Sequence, residues 1–272
     1  MQPALVARGL TKVIGDRTIV DDVSFELFPG EVFGFLGPNG AGKTTTIRML
    51  VGLIRPTAGD VGICGFDLRR EFEAAMRCIG CIVENPDLYR FMSGRENLEH
   101  FARMLRVNHD EIERVAALVN LSHRLEQRVG TYSLGMRQRL GIAQALLGSP
   151  RVLILDEPAN GLDPAGIREI RELLRRLAAE RQMAVFVSSH LLAEIELICD
   201  RVAIIHKGKI LRAGNVRDLI SSRRVVEIRA SDSDRANAIL REHGIEATIH
   251  ASERMQTLEE MFLETTGGET VD

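Results

Sequence analysis

No stretch of this chain is apolar for long enough to cross a bilayer. Runs such as Val152 to Leu155 and Ala184 to Val187 are short, whereas a spanning helix needs about 20 apolar residues. Any role at a membrane must come through a partner. Neither sign of charge dominates: 35 basic against 38 acidic residues leave a formal net charge of −3. No global field therefore draws the chain to nucleic acid or anionic lipid, and no nucleic-acid partner is expected. Cysteine is scarce, with Cys64, Cys78, Cys81 and Cys199 scattered through 272 residues. That excludes a disulfide framework and leaves buried, reduced thiols as the expectation. Cys78 and Cys81 form a C-x-x-C, yet no second pair or nearby histidine completes a metal site. The start, Met-Gln-Pro-Ala-Leu, lacks a basic segment followed by an apolar core, so cytoplasmic residence is expected. Internal repeats and low-complexity tracts are missing too.

What is present is an alternation of strand-like and helix-like segments. It predicts an α/β fold with a mostly parallel sheet covered by helices. Val32 to Leu36 reads as a buried strand and Lys43 to Gly52 as the helix after it. From Ser93 to about Gly148 strand signals stop, and three helical patterns follow, the first opened by a Ser93/Glu96 capping box. Strands resume at Val152 to Leu155, Ala184 to Ser188 and Val202 to Ile205, with a helix from Pro164 to about Glu180. The expected domains are an α/β core over 1–222, with a helical insertion at about 86–150, and a small α+β appendage over 223–272. Within the appendage, Val225 to Ala230, Asp234 to Glu242, Ile245 to Ile249 and Leu258 to Phe262 read as strand, helix, strand and helix.

Gly37-Pro38-Asn39-Gly40-Ala41-Gly42-Lys43-Thr44 satisfies G-x-x-x-x-G-K-[ST] between a strand and a helix. Glycines let the backbone curl so that successive N–H groups face anionic oxygens. Lys43 places a cation near the β- and γ-phosphates, and Thr44 offers a hydroxyl to Mg²⁺. The phosphate-binding set is Gly37, Pro38, Asn39, Gly40, Ala41, Gly42, Lys43, Thr44 and Thr45. Val152-Leu153-Ile154-Leu155-Asp156-Glu157 ends a buried strand in two acids, so Asp156 is expected at the metal and Glu157 at the attacking water.

In this order the motifs resemble those of the nucleotide-binding subunits of ATP-binding cassette (ABC) transporters, over about residues 4 to 220. The resemblance implies an antiparallel β subdomain beside the core, ATP and Mg²⁺ as ligands, and hydrolysis coupled to transport. It also implies a second copy of the chain, a separate membrane permease, and a place on the cytoplasmic face of the membrane. Tyr132-Ser133-Leu134-Gly135-Met136 aligns with the family's LSGGQ segment, where Ser133 and Gly135 match while Leu134 and Met136 do not. By resemblance this segment faces the γ-phosphate held by the second copy. His190, in Ser188-Ser189-His190, is similar to the family's switch histidine, which helps orient water. Asp163 resembles the acid of the loop along the dimer seam, and it also suits a helix cap before Pro164.

Two departures stand out. The family usually carries glutamine where Glu84 stands, and a carboxylate there can still serve the metal. Lys12-Val13-Ile14-Gly15 offers only aliphatic side chains where the family often stacks an aromatic on adenine. Glu84-Asn85-Pro86 and the Tyr132 to Gln138 segment look like subunits that export peptide antibiotics or drugs. A soluble relative working on ribosomes or DNA is the alternative, and a P-loop kinase is a third reading that would leave His190 unexplained.

Overall fold

In a computed structural model of the chain, residues 2–84, 86–221, 224–227 and 252–255 are described. The chain divides into two compact units, Met1–Ala213 and Gly214–Thr270. The division falls ahead of the 222/223 boundary expected from sequence, so the segment from Val216 to Ser221 belongs to the second unit.

The first unit carries two sheets. One is antiparallel and built from β1 (Leu5–Ile14), β2 (Arg17–Leu27), β4 (Ala58–Ile63) and β5 (Phe66–Asp67), in the order β2-β1-β4-β5. The other is built from β3 (Val32–Leu36), β6 (Ile79–Ile82), β7 (Val152–Asp156), β8 (Ala184–Ser189), β9 (Arg201–His206) and β10 (Lys209–Asn215). Its order is β10-β9-β3-β8-β7-β6, and β6, β7, β8, β3 and β9 run parallel. β3, β7 and β8 are buried at every position, which is why they read as unbroken apolar runs rather than alternating ones. Four phenylalanines meet where the two layers face each other. Phe25 of β2 lies 5.3 Å from Phe33, 5.6 Å from Phe35 and 5.7 Å from Phe186, ring centre to ring centre. Offset stacking at such distances adds to the area these rings bury.

Helix α1 (Lys43–Leu50) follows the phosphate loop. It stops two residues short of the expected Gly52, whose N–H closes back on Met49 O at 3.2 Å with φ at 71°. The helical insertion holds α3 (Gly94–Leu105), α4 (His109–Leu118) and α5 (Leu134–Ala145), after the short α2 (Phe72–Met76). The capping box is present as expected: Glu96 N donates to Ser93 Oγ at 3.1 Å and Ser93 N donates to Glu96 Oε2 at 2.7 Å. α6 (Pro164–Arg181) has proline in its first turn, and α7 (Leu192–Ile198) leads into β9.

The thiols are free. Cys199 is buried, whereas Cys64, Cys78 and Cys81 are only partly so, a correction to the uniformly buried set expected. Desolvation, reinforced by the neighbouring Cys78 thiol, pushes Cys64 up to about 11.

In the second unit, α8 (Val216–Ser221) comes first, and β11 (Arg224–Glu227) pairs antiparallel with β12 (Ser252–Met255). Ser-Glu-Arg-Met carries no β-branched or aromatic residue, so β12 had no local strand signal. The segments expected at Asp234 to Glu242, Ile245 to Ile249 and Leu258 to Phe262 lie outside the described residues.

Candidate active site

The strand order places the site. β8 lies between β3 and β7, with Leu36 opposite Ser189 and Asp156 opposite Ser188. The residues that follow those strands, Gly37, His190 and Glu157, therefore emerge side by side at the carboxyl edge of a parallel sheet, where such folds bind ligands.

The phosphate loop needs its glycines for two different reasons. A Cβ on Gly37 would stand 2.3 Å from the carbonyl oxygen of Ile205, so β9 leaves no room for a side chain. Gly42 sits at φ 107°, a conformation that L-residues seldom adopt, and a Cβ there would lie 2.9 Å from Ile19 O. Asn39 and Gly40 are exposed at the rim, while Ala41, Gly42 and Lys43 are buried. The first backbone N–H groups of α1 have no carbonyl one turn earlier in the helix, so they remain donors at its positive end. Residues Lys43, Thr44 and Thr45 supply them.

Lys43 is 5% exposed. Its ammonium donates to Gly37 O at 2.7 Å and Pro38 O at 3.3 Å and lies 3.3 Å from Glu157 Oε1. Glu157 then reaches His190, with Oε2 3.1 Å from Nδ1. One carboxylate thus bridges the loop cation and the histidine, holding Lys43, Glu157 and His190 in a single cluster. Glu157 adopts φ 48°, and its N–H is held by Ser188 Oγ at 3.0 Å and Ser188 O at 3.2 Å. Backbone held in that region marks a site where the surroundings dictate geometry. Thr44 Oγ1 donates to Asp156 Oδ2 at 3.0 Å, and Ser188 Oγ donates to Asp156 Oδ1.

Thr44 and Asp156 therefore stand together as two hard oxygen donors. Among the described residues no group of three or more His, Cys, Asp or Glu side chains is placed to hold a metal. A cation at this pair would draw its remaining ligands from phosphate and water, which is how Mg²⁺ is usually held beside nucleotides. Glu84 has a cation for its partner. It lies at φ 67°, 59% exposed, and its carboxylate is ion-paired with Arg48, one turn along α1 from Thr44. A metal role read from sequence meets a competing cation that sequence spacing did not reveal.

Ser133 and Gly135 lie elsewhere on the surface, at the start of α5. Ser133 is exposed and caps the helix, its Oγ accepting from Met136 N at 3.2 Å. Among the described residues the nearest atom to a Cβ built on Gly135 is Leu162 Cδ2 at 3.9 Å, so none of them packs closely enough to demand glycine there. Leu134 is 40% exposed, beside the Gly161 turn. Asp163 caps α6, accepting from Gly166 N at 2.9 Å. Val13 and Ile14 are exposed at the end of β1, Ile14 at 56%, so these aliphatic side chains present an open apolar face rather than core.

Two residues escaped the motif pattern. Ser188 ties Asp156 to the Glu157 amide, and Glu194 of α7 accepts from Ser189 Oγ at 3.0 Å. Burial, with the Glu157 charge adding to it, raises the pKa of Glu194 above the ordinary carboxyl value. The Ser189 hydrogen bond and nearby His190 pull it down by less. The available signal was the Ser-Ser pair before His190.

A parallel sheet with a phosphate loop after β3, an acidic pair after β7 and a histidine after β8 defines a P-loop ATPase. Residues 20–160 match the family model described as ABC transporter, and the chain belongs to that family. It is 60% identical over 219 residues to the ABC transporter ATP-binding protein YhcH of Bacillus subtilis (strain 168), covering 80% of this chain and 72% of that one. It is 44% identical over 245 residues to the bacitracin transport ATP-binding protein BcrA of Bacillus licheniformis, covering 89% and 80%. A solved structure of an ATP-binding subunit of an ABC transporter superposes with TM-score 0.74 at 28% identity, covering 97% of this chain and 99% of that one. The protein is thus an ATP-binding, ATP-hydrolysing subunit of an ABC transporter, and these relatives lend nothing to the ribosome or DNA alternative. No helix among the described residues is long and apolar enough to cross a membrane.

Proposed function

We propose that two copies of this chain close two ATP molecules between them and drive a separate membrane permease that exports drugs or peptide antibiotics. The observation that carries the hydrolytic part is the Glu157 carboxylate held between Lys43 and His190. When phosphate enters the loop, the Lys43 ammonium exchanges the Glu157 oxygen for a phosphate oxygen, which frees Glu157 to take a proton from water. His190 fixes the orientation of that carboxylate and steadies the γ-phosphate, and the loop amides hold developing negative charge. Thr44 and Asp156 would hold Mg²⁺, which would supply Lewis-acid neutralisation of the phosphate oxygens.

The second copy is supported by Ser133 and Gly135. An exposed hydroxyl and an unobstructed glycine at the start of a twelve-residue helix make a donor surface that no described residue covers. The permease is supported by exposed aromatics ahead of α3: Tyr89 is 40% and Phe91 72% exposed, in edge contact with ring centres 5.9 Å apart. A contact there would place the subunit at the cytoplasmic face of the membrane as a peripheral protein. Export is supported by the bacitracin transport relative, at 44% identity over most of both chains.

Expressed with its native gene neighbours and isolated from membranes, the chain is expected to co-purify with an integral membrane protein and to hydrolyse ATP faster in that complex. Recovery with ribosomes alone would overturn the transporter reading. Glu84→Gln breaks the Arg48 pair, whose partners are 44% and 59% exposed, so its effect on stability should stay within about 0.5 kcal/mol. It should change partner-stimulated ATPase severalfold more than basal ATPase. Equal effects on both rates would remove Glu84 from coupling.

A further inference from the structure

β8 hands the chain to α7 through His190 and Leu191, and α7 has no side-chain cap at its start. The turn is held by Ser189 instead. Its Oγ accepts from Leu191 N at 2.9 Å and donates to Glu194 Oε2 at 3.0 Å, while its backbone carbonyl accepts from Gly37 N at 3.3 Å. A hydroxyl has one proton and rotates to suit its partners. Here the proton is directed to Glu194, since the other acceptor, Leu191 O, stands at 3.5 Å. Remove the carboxyl and the hydroxyl is free to turn away from Leu191 N.

Glu194 can serve as a fixed point because α7 is anchored on the sheet by buried Ile195 and Ile198. Its second oxygen, Oε1, is shut off from solvent and has no hydrogen-bond partner among the described residues. A carboxyl oxygen withdrawn from water without a partner costs stability, so its presence beside His190 calls for a reason other than stability.

We propose that Glu194 is a positioning residue for ATP hydrolysis. By holding the Ser189 hydroxyl, it fixes the turn that sets His190 against Glu157 and the Ser189 carbonyl against the start of the phosphate loop. The proposal rests on the roles given above to Glu157 and His190. Glu194 touches neither nucleotide nor water in this role and acts through the turn, so its effect falls on the rate of the chemical step more than on binding.

Steady-state ATPase kinetics test it. In Glu194→Ala, kcat is expected to fall ~10- to 50-fold with KM within about threefold, since small misplacement of a catalytic group costs rate steeply. Ser189→Ala should fall comparably, and the double variant no further, because the two side chains act as one unit. Glu194→Gln keeps an acceptor oxygen for Ser189 and should recover most of kcat. Unchanged kcat in Glu194→Ala, or losses that multiply in the double variant, would overturn the proposal. If Glu194→Ala does not fold, Glu194→Gln is compared with Glu194→Asp, which is one methylene too short to reach Ser189. An active Gln variant beside an impaired Asp variant supports the proposal, and any other order overturns it. Glu157→Gln measured alongside separates the two levels. Full activity there defeats the roles of Glu157 and His190, whereas a slow Glu157→Gln with normal Glu194→Ala and Ser189→Ala defeats the Glu194 assignment alone.

Discussion

Glu157→Gln is expected to bind ATP within about threefold of the wild-type affinity while hydrolysing it roughly 10²- to 10³-fold more slowly. The side chain keeps its length and one acceptor oxygen, so the contact of 3.3 Å with Lys43 can persist. The amide cannot take a proton from water, and its NH₂ group cannot accept from His190 Nδ1. On the proposed two-copy site, where hydrolysis reopens the pair, the variant should accumulate as an ATP-bound dimer. Size-exclusion chromatography with and without ATP, beside a phosphate-release assay, checks both parts. Undiminished turnover would remove Glu157 from its role, and slow turnover without a dimer would count against the two-copy site.

Lys43→Ala should act one step earlier. Its ammonium is buried and shared among two loop carbonyls and Glu157. A hydrogen bond to a charged group is worth about 1.5–3 kcal/mol. Losing the Lys43 contact to phosphate should therefore weaken ATP about 10- to 150-fold and bring ATPase to background at ordinary nucleotide concentrations. Glu157, 23% exposed, can be solvated once its cation is gone, so the fold should survive with little loss of thermal stability. Equilibrium binding of a fluorescent ATP analogue, paired with a melting curve, separates loss of binding from loss of structure. ATP bound at wild-type affinity by a folded Lys43→Ala protein would mean that the loop amides alone hold the phosphates.

Features with local logic are legible in the order of residues. Val32–Leu36 reads as a buried strand because five consecutive apolar or small residues need cover on both faces. The Ser93/Glu96 box closes on itself within one turn, so two residues with two intervening positions suffice to announce it. Two features are less legible. α1 ends at Leu50 because Gly52 turns back on Met49, and β12 is held by its pairing with β11 rather than by its own residues.

The chemistry is written in the chain itself: a glycine-rich loop with Lys43 and Thr44, an acidic pair after an apolar strand, a histidine after another, and a serine-capped helix. Each is spelled by neighbouring residues, because backbone curvature, strand ends and helix caps are short-range properties. Which of these groups meet is settled by tertiary packing. Placing β8 between β3 and β7 sets Glu157 between Lys43 and His190, and neither periodicity nor spacing encodes that strand order. The same long-range packing draws Glu84 onto Arg48 and brings Ser188 to Asp156 and the Glu157 amide. A side chain's partner across 36 residues or 32 is fixed by the three-dimensional path of the chain, and its identity in the sequence gives only what it can offer when it arrives.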